Sequence, residues 1–441
     1  MVTVMTPLSA GSVKTTHFWY NGQMKLVRKK TKVVLGISGS IAAYKSAELA
    51  RYLITHGCEV RVVMTDSAAK FVTPFTLEVI TGKPVTNTFW NETESGAIGH
   101  IELADWADVL LIAPASADLI AKLSYGFAES PLLAVALATK APVVVAPAMN
   151  VNMYDHPATI DNIMRLQQRG VHFVEPDSGP LACGWLGRGR LADQREIFLH
   201  LRRAVAPQDL AGKRVLISTG PTREAIDPVR YISNRSSGKM GIQLAKEAYR
   251  RGAEVTLVHG PLGRTPYIPR DITCVAVTSA AEMYEAMTQR AISGFGAAAE
   301  QFDIVITTAA VADYTPADPS SKKIKKSNEP RALELKATLD ILKSIGIQKG
   351  KTARPFLVGF AVETGDEEEL LNEVRRKLSA KNADLMVGNL AHEAFDHDTN
   401  RVWIVSKDGK EEQIGTAHKA QISRSIVDSI VRDLPRNIVT K

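Results

Sequence analysis

Short apolar runs of strand length alternate along this chain with segments whose polar residues recur at helical spacing, and the alternation starts afresh near the midpoint. The first run, residues 32–37 (KVVLGI), has almost no polar alternate, the pattern of a parallel strand covered on both faces. Ser38, Gly39 and Ser40 then turn the chain into a helix whose solvent side carries Lys45, Glu48, Arg51 and Thr55. Gly57 ends that helix, and residues 59–65 form the next strand. Residues 109–112 and 143–145 repeat the strand pattern, each running straight into a Pro-Ala pair.

Residues 204–212 (AVAPQDLAG) interrupt the rhythm with Pro207 and Gly212. From residue 213 the succession of strand, small-residue turn, helix, Arg-Gly and strand returns, with Gly252 in the part that Gly57 plays earlier. Further strands are expected at 273–277, 304–308, 356–360 and 385–387, and a closing hairpin at 402–406 and 412–414 across Asp408-Gly409. This grammar predicts an α/β chain of two Rossmann-like three-layer domains, at 31–205 and 213–435, with a linker at 206–212. Residues 1–30 hold no Asp or Glu and end on Lys25, Arg28, Lys29 and Lys30. With a single Arg and no amphipathic period they read as a disordered extension rather than a targeting peptide, and Met24 is an alternative start.

Composition narrows the partners. A chain of 441 residues exceeds one ordinary core. Its longest apolar stretch, 132–149, is broken by Lys140 and prolines, so no membrane span is expected. The 54 Lys and Arg against 47 Asp and Glu give a net charge of +7, modest for this size. The cations cluster in Gly-rich loops, which favours small phosphorylated molecules over nucleic acid. Three cysteines, Cys58, Cys183 and Cys274, are widely spaced and form no CxxC pair, so neither a disulfide framework nor a zinc site is expected, and the compartment is reducing and cytoplasmic. Cys58 and Cys274 border apolar runs and read as core residues. Cys183 stands with Gly184, Gly187 and Gly189 in LACGWLGRGRL, which reads as a mobile flap carrying a functional thiol.

The richest stretch is 218–241, STGPTREAIDPVRYISNRSSGKMG, a strand-to-helix connection far longer than the usual two to six residues. It joins Gly220, Gly238 and Gly241 with the hydroxyls of Thr219, Thr222, Ser233, Ser236 and Ser237 and the cations Arg223, Arg230, Arg235 and Lys239, a set suited to holding a polyanion. Its GPTRE, DPVRYISN and RSSGKMG segments resemble the signature of phosphopantothenate–cysteine ligases. In the first half, GISGS, MTDSA, APASADLIAKL and APAMN resemble the flavin-binding cysteine decarboxylase family over roughly residues 32–200.

The second resemblance implies FMN, its phosphate near Ser38, Gly39, Ser40 and Ser67 and its ring near Ala115 and Ser116, in a flavodoxin-like flavoprotein domain. Asp118 stands where that family commonly has Asn, and an Asp cannot donate an amide hydrogen bond. His100, in an HIxLA pattern, is implied as a base or carboxylate partner, Asn150 as the group binding the substrate carboxylate, and Cys183 as the acid; the plain alternative for Asn150 is a helix N-cap. Direct loss of CO₂ from a carboxyl-terminal cysteine leaves no electron sink. The family's route oxidises the cysteinyl side to a thioaldehyde first, and Cys183 would protonate the enethiolate that remains.

For the ligase half the resemblance implies CTP. Ala309, Asp313 and Phe360 would line the nucleotide site, Lys323 in a KxKK motif would clamp the triphosphate from a closing loop, and Lys377 and Lys381 would reach the same phosphates or base. Asp313 is also the candidate Mg²⁺ ligand, with a helix cap as the plain alternative. Phosphopantothenate would attack the α-phosphate to give an acyl-cytidylate that Asn234 holds while the cysteine amine attacks, with Arg230 and Arg235 on the substrate. The family's flavin domains form trimers and its ligase domains dimers, which implies a homo-oligomer, a dodecamer when both act. Two rival functions fit less of the chain. A flavin-binding regulatory subunit inhibiting a phosphatase does not need Cys183, and a nicotinamide dehydrogenase wants GxGxxG and a later acidic residue, where only Gly36 and Gly39 stand.

Overall fold

The computed structural model describes residues 16–20, 23–27, 30–89, 99–180, 184–263, 267–291, 302–326, 328, 331–352, 354–394 and 397–435. The chain divides into two compact units, Met1–Val205 and Ala206–Lys441. In the first, six parallel strands lie in the order Val85–Thr86, Cys58–Met64, Thr31–Ile37, Val109–Ala115, Val143–Pro147, His172–Phe173. Numbered along the chain, the order is 3-2-1-4-5-6, the Rossmann arrangement, where flavodoxin itself has 2-1-3-4-5. Apolar residues at successive positions cover both faces. Val33, Leu35 and Ile37 enter the layer of helices Lys45–Thr55 and Gln194–Ala204, while Val34 enters that of Ala117–Tyr125, Pro131–Ala138 and Pro157–Gln168.

The second unit repeats the plan and extends it. Its sheet runs Thr273–Ala276, Glu254–His259, Arg214–Thr219, Ile304–Thr307, Phe356–Glu363, Leu385–Leu390, then Thr399–Ser406 and Glu411–His418. The first six are parallel and the last two antiparallel. Val215 and Ile217 pack with helices Lys239–Arg250 and Lys419–Asp433, and Leu216 with Ala280–Ala291, Ile341–Lys349 and Glu367–Ala380 on the other side. The expected closing hairpin is present, with Val402 opposite Ile414 and Gly409 turning at φ 85°.

Three expectations are corrected. Within the amino-terminal extension, Thr16–Tyr20 pairs antiparallel with Gln23–Val27; the segments are rich in aromatic and aliphatic residues and flank Asn21-Gly22, a pair favoured in two-residue hairpins. Residues 206–212 are not a loose linker, because Leu210 is 1% exposed in the second core and Arg251, itself 5% exposed, pairs with Asp209 and Asp428. Cys274 is exposed rather than core, since Thr273–Ala276 is an edge strand of the sheet; Cys58 is buried as expected. Among the described residues no helix is long and apolar enough to cross a membrane.

Candidate active sites

In both units the strand order reverses beside the first strand, the place where open α/β sheets bind ligands at the carboxyl ends of the strands. In the first unit buried hydroxyls stitch the loops there together. Ser38 Oγ donates to the Pro114 carbonyl at 2.9 Å and accepts from the Ser116 amide at 2.8 Å. Ser40 Oγ donates to Ala148 O at 3.0 Å, and Ser46 Oγ to Ala113 O at 2.9 Å. Gly39 has no room for a side chain, because a Cβ there would lie 2.4 Å from Ser67 Cβ. In front of these loops lies a cleft of about 580 Å³, lined by Gly39, Ser40, Ser116 and Asn150 among others, within the range of small-molecule sites. Of the expected flavin residues, Gly39, Ser40 and Ser116 line this cleft; Ser38 and Ala115 are buried, and Ser67 backs Gly39. Three N-caps line it, Ser40, Ser116 and Asn150, and of their helices only Ala117–Tyr125 is long enough to carry an appreciable dipole.

Asn150 caps its helix through Oδ1, which accepts from the Asn152 amide at 2.8 Å. His100 opens helix Gly99–Trp106, is half-buried edge-on to Phe89 at 5.5 Å between ring centroids, and does not line the cleft. Asp118, in the first turn of its helix, pairs with Lys122 at 3.1 Å. Cys183 lies outside the described residues. Two of the glycines after it lie in a strand: Leu186–Arg190 pairs with Asp177–Pro180, and Gly189 O accepts from the Met149 amide at 2.9 Å. A Cβ on Gly189 would stand 2.2 Å from Met149 O, and one on Gly187 2.8 Å from Val151. The small residues are there for close docking on the Asn150 loop. The spacing in sequence missed Tyr44, Lys45, Phe71 and Arg190 as lining residues; Lys45 was expected on the solvent face of its helix.

The switch point of the second unit is stitched in the same manner. Thr219 Oγ1 donates to Gly238 O at 2.9 Å and Thr308 Oγ1 to Ser218 O at 2.8 Å, while Thr222 Oγ1 accepts from the Ala312 amide at 3.0 Å. A Cβ on Gly241 would fall 2.3 Å from Thr219 Oγ1, so only glycine lets the helix begin this close to the strand ends. Asn234 is exposed, and its Nδ2 donates to Val311 O at 2.9 Å, which joins the 218–241 loop to the loop carrying Ala309 and Asp313. Asp313 is exposed, Ala309 and Phe360 are half-buried, and Arg235 is exposed. Lys377 pairs with Glu363 at 2.8 Å, and Lys381 with Asp340 at 3.0 Å, so the two lysines expected to act together hold separate acids. Among the described residues no three His, Cys, Asp or Glu gather as a metal cluster.

Sequence reasoning also missed Asp227. Its side chain is fully buried and accepts from the Val229 amide at 2.8 Å, the Arg230 amide at 2.9 Å, Arg230 Nε at 3.0 Å and Arg230 Nη2. A further donor is the Ile324 amide at 3.1 Å. The Arg230 guanidinium holds this carboxyl well below the usual carboxylate range, against the opposing effect of burial. Arg230, expected on the substrate, is thus committed to Asp227 and to Ile324 O at 3.0 Å.

Taken together, the fold and the sites define a two-unit α/β enzyme, each unit with loops stitched together at the switch point of its sheet. Residues 23–205 match the Flavoprotein family, and residues 210–434 the C-terminal domain of DNA/pantothenate metabolism flavoproteins. The coenzyme A biosynthesis bifunctional protein CoaBC of Haemophilus influenzae is 42% identical over 402 residues, 90% of this chain and 96% of that one. Its Bacillus subtilis counterpart is 44% identical over 410 residues, with 90% and 96% covered. A crystal structure of the C-terminal domain of CoaBC, 39% identical, covers 51% of this chain and 97% of its own, with a TM-score of 0.41. The chain belongs to the family of coenzyme A biosynthesis bifunctional proteins, enzymes with a decarboxylase and a ligase activity.

Proposed function

We propose that the second unit joins 4′-phosphopantothenate to cysteine at the expense of CTP, and that the first removes CO₂ from the resulting phosphopantothenoylcysteine to leave 4′-phosphopantetheine. The observation that carries the ligase reading is the convergence of three separate segments on one switch point: Asn234 bonded to Val311 O, the Ala309–Asp313 loop, and the lysine run tied through Ile324 to Asp227. A carboxylate and an amine do not condense directly, because the leaving oxygen is too basic. The phosphopantothenate carboxylate attacks the α-phosphorus of CTP, and the bond to pyrophosphate breaks. The cysteine amine then attacks the acyl carbonyl, and CMP leaves. Lys323 neutralises the triphosphate, Asn234 donates to the acyl oxygen as charge builds, and exposed Arg235 meets the substrate phosphate. Mg²⁺ would be held by the phosphates and a single carboxylate, Asp313, in keeping with its preference for few protein ligands.

FMN fits the first crevice: the cleft is of suitable size, its floor has no room for side chains at Gly39, and the N-terminus of helix Ala117–Tyr125 lines it for the phosphate. When bound, FMN supplies the reversible two-electron sink that loss of CO₂ lacks. Asn150 orients the cysteinyl carboxylate, and Cys183 gives its proton to the enethiolate after CO₂ departs. His100 lies off the cleft of its own chain, and Ile41, Tyr44, Phe71 and Phe75 expose large apolar surfaces, 58%, 58%, 48% and 72%. Both observations favour a homo-oligomer in which a second copy completes the flavin site.

The test is a single turnover of the full chain with phosphopantothenate, cysteine, CTP and Mg²⁺, followed by mass analysis. Pyrophosphate, CMP, CO₂ and phosphopantetheine are expected in equal amounts. Cys183→Ser is expected to release CO₂ and stop at a product two hydrogens lighter than phosphopantetheine, because a hydroxyl is a far weaker acid than a thiol of pKa about 8.5. No pyrophosphate from the wild type would end the ligase reading, and wild-type product from Cys183→Ser would remove that thiol from the reaction.

A further inference from the structure

The run Lys322-Lys323-Ile324-Lys325-Lys326 has the composition of a solvated, mobile charge cluster. Its centre is nevertheless held at both backbone polar groups. The Ile324 amide donates to Asp227 Oδ2 at 3.1 Å, and the Ile324 carbonyl accepts from Arg230 Nη2 at 3.0 Å. A third tie lies just upstream, where the Ser320 amide donates to Ile226 O at 2.9 Å. The anchor is rigid: the buried Asp227 carboxylate takes donors from its own turn, from Arg230 and from the lysine segment together. Arg230 Nε and Nη2 both reach Oδ2 while the Val229 and Arg230 amides hold Oδ1, so both carboxylate oxygens are fixed.

We propose that Asp227 is a positioning residue for nucleotide activation. Paired with Arg230, it latches Ile324 and so fixes where the neighbouring Lys323 ammonium stands relative to the Asn234 loop. The inference rests on the reading of Lys323 as the triphosphate clamp and adds the device that aims it. Lys323 is exposed on a long flexible stem, so its usefulness to a developing charge depends on the backbone that carries it. The same Arg230 that the motif presents as a substrate ligand becomes the arm of the latch. Removing the carboxylate frees Ile324 at its amide and Arg230 at its guanidinium in one step.

The experiment is a double-mutant cycle in the full-length chain, read as the rate of pyrophosphate release from CTP and phosphopantothenate without cysteine. Asp227→Asn keeps the size and loses the charge. It is expected to lower kcat/KM for CTP roughly 10- to 100-fold, and Asp227→Asn with Lys323→Gln is expected to be no worse than Lys323→Gln alone, since one residue acts through the other. Brief trypsin treatment, cutting after the lysines of the segment, is expected to be faster in Asp227→Asn than in the wild type. Should Asp227→Asn fail to fold, Arg230→Lys keeps the charge but loses the guanidinium that spans Oδ2 and Ile324 O, and enters the same cycle. Defects that multiply in the double variant, or wild-type trypsin resistance in Asp227→Asn, overturn the latch and leave the role of Lys323 standing. Wild-type pyrophosphate release by Lys323→Gln instead overturns the clamp reading beneath it.

Discussion

At the scale of single residues, Asp227 shows why a motif can be visible while its partner is not. DPVR is plain in the sequence, and Arg230 within it reads as a hand for the substrate. The contact that reassigns it, to Ile324, spans 94 positions, and no local pattern carries that information. The seryl and threonyl groups tell the same story. Their density reads as a polyanion site in the sequence, yet Ser38, Ser40, Thr219 and Thr308 mostly bridge one loop to another. The Asp227 pair also fixes a pH response. Its carboxyl ionises at lower pH folded than unfolded, where the value is about 3.9. Its stabilising share is therefore complete above that unfolded value and is lost as pH falls below it. Hydrogen-exchange protection of the Ile324 amide should be level from about pH 8 to 5 and decline only below about pH 4. A decline centred near pH 6.5 would point to a histidine and away from Asp227.

At the scale of elements, strands buried on both faces were the most legible parts, because continuous apolar runs such as VVLGI leave little else for them to be. The segment before the second sheet was less so. AVAPQDLAG has the residues of a linker, and what ties it down is a guanidinium on a distant helix end: Arg251, between Asp209 and Asp428. Arg251→Ala is expected to lower the stability of the second unit by about 2 kcal/mol, less than for a fully buried pair because the Asp428 side chain is 60% exposed. Urea unfolding followed by ligase activity reads this, with the flavin absorbance as an internal control. An unchanged midpoint would mean the ion pairs merely break even with hydration. Gly187 and Gly189 were equally ambiguous, since glycine serves both a hinge and a close approach, and only the opposing Val151 and Met149 decide between them.

At the scale of the whole molecule, two sheets with the same 3-2-1-4-5-6 core stand in one chain, and each has helices on both faces. A fragment of residues 206–435 should therefore fold and ligate cysteine with CTP while releasing no CO₂. One starting at 213 should be markedly less stable, because it lacks both Leu210 in the core and Asp209 against Arg251. Equal stability of the two fragments would return residues 206–212 to the status of a tether. The last strand of the second sheet, Glu411–His418, has its own safeguard. Successive strand residues face opposite layers, and here Glu411 meets Arg375 of helix Glu367–Ala380 at 2.7 Å while Glu412 meets Arg432 of helix Lys419–Asp433 at 3.3 Å. A slip of one residue during folding would carry each carboxylate away from its arginine and into the opposite layer, so the two ion pairs act as a proofreading check on strand alignment at an otherwise unpaired sheet edge.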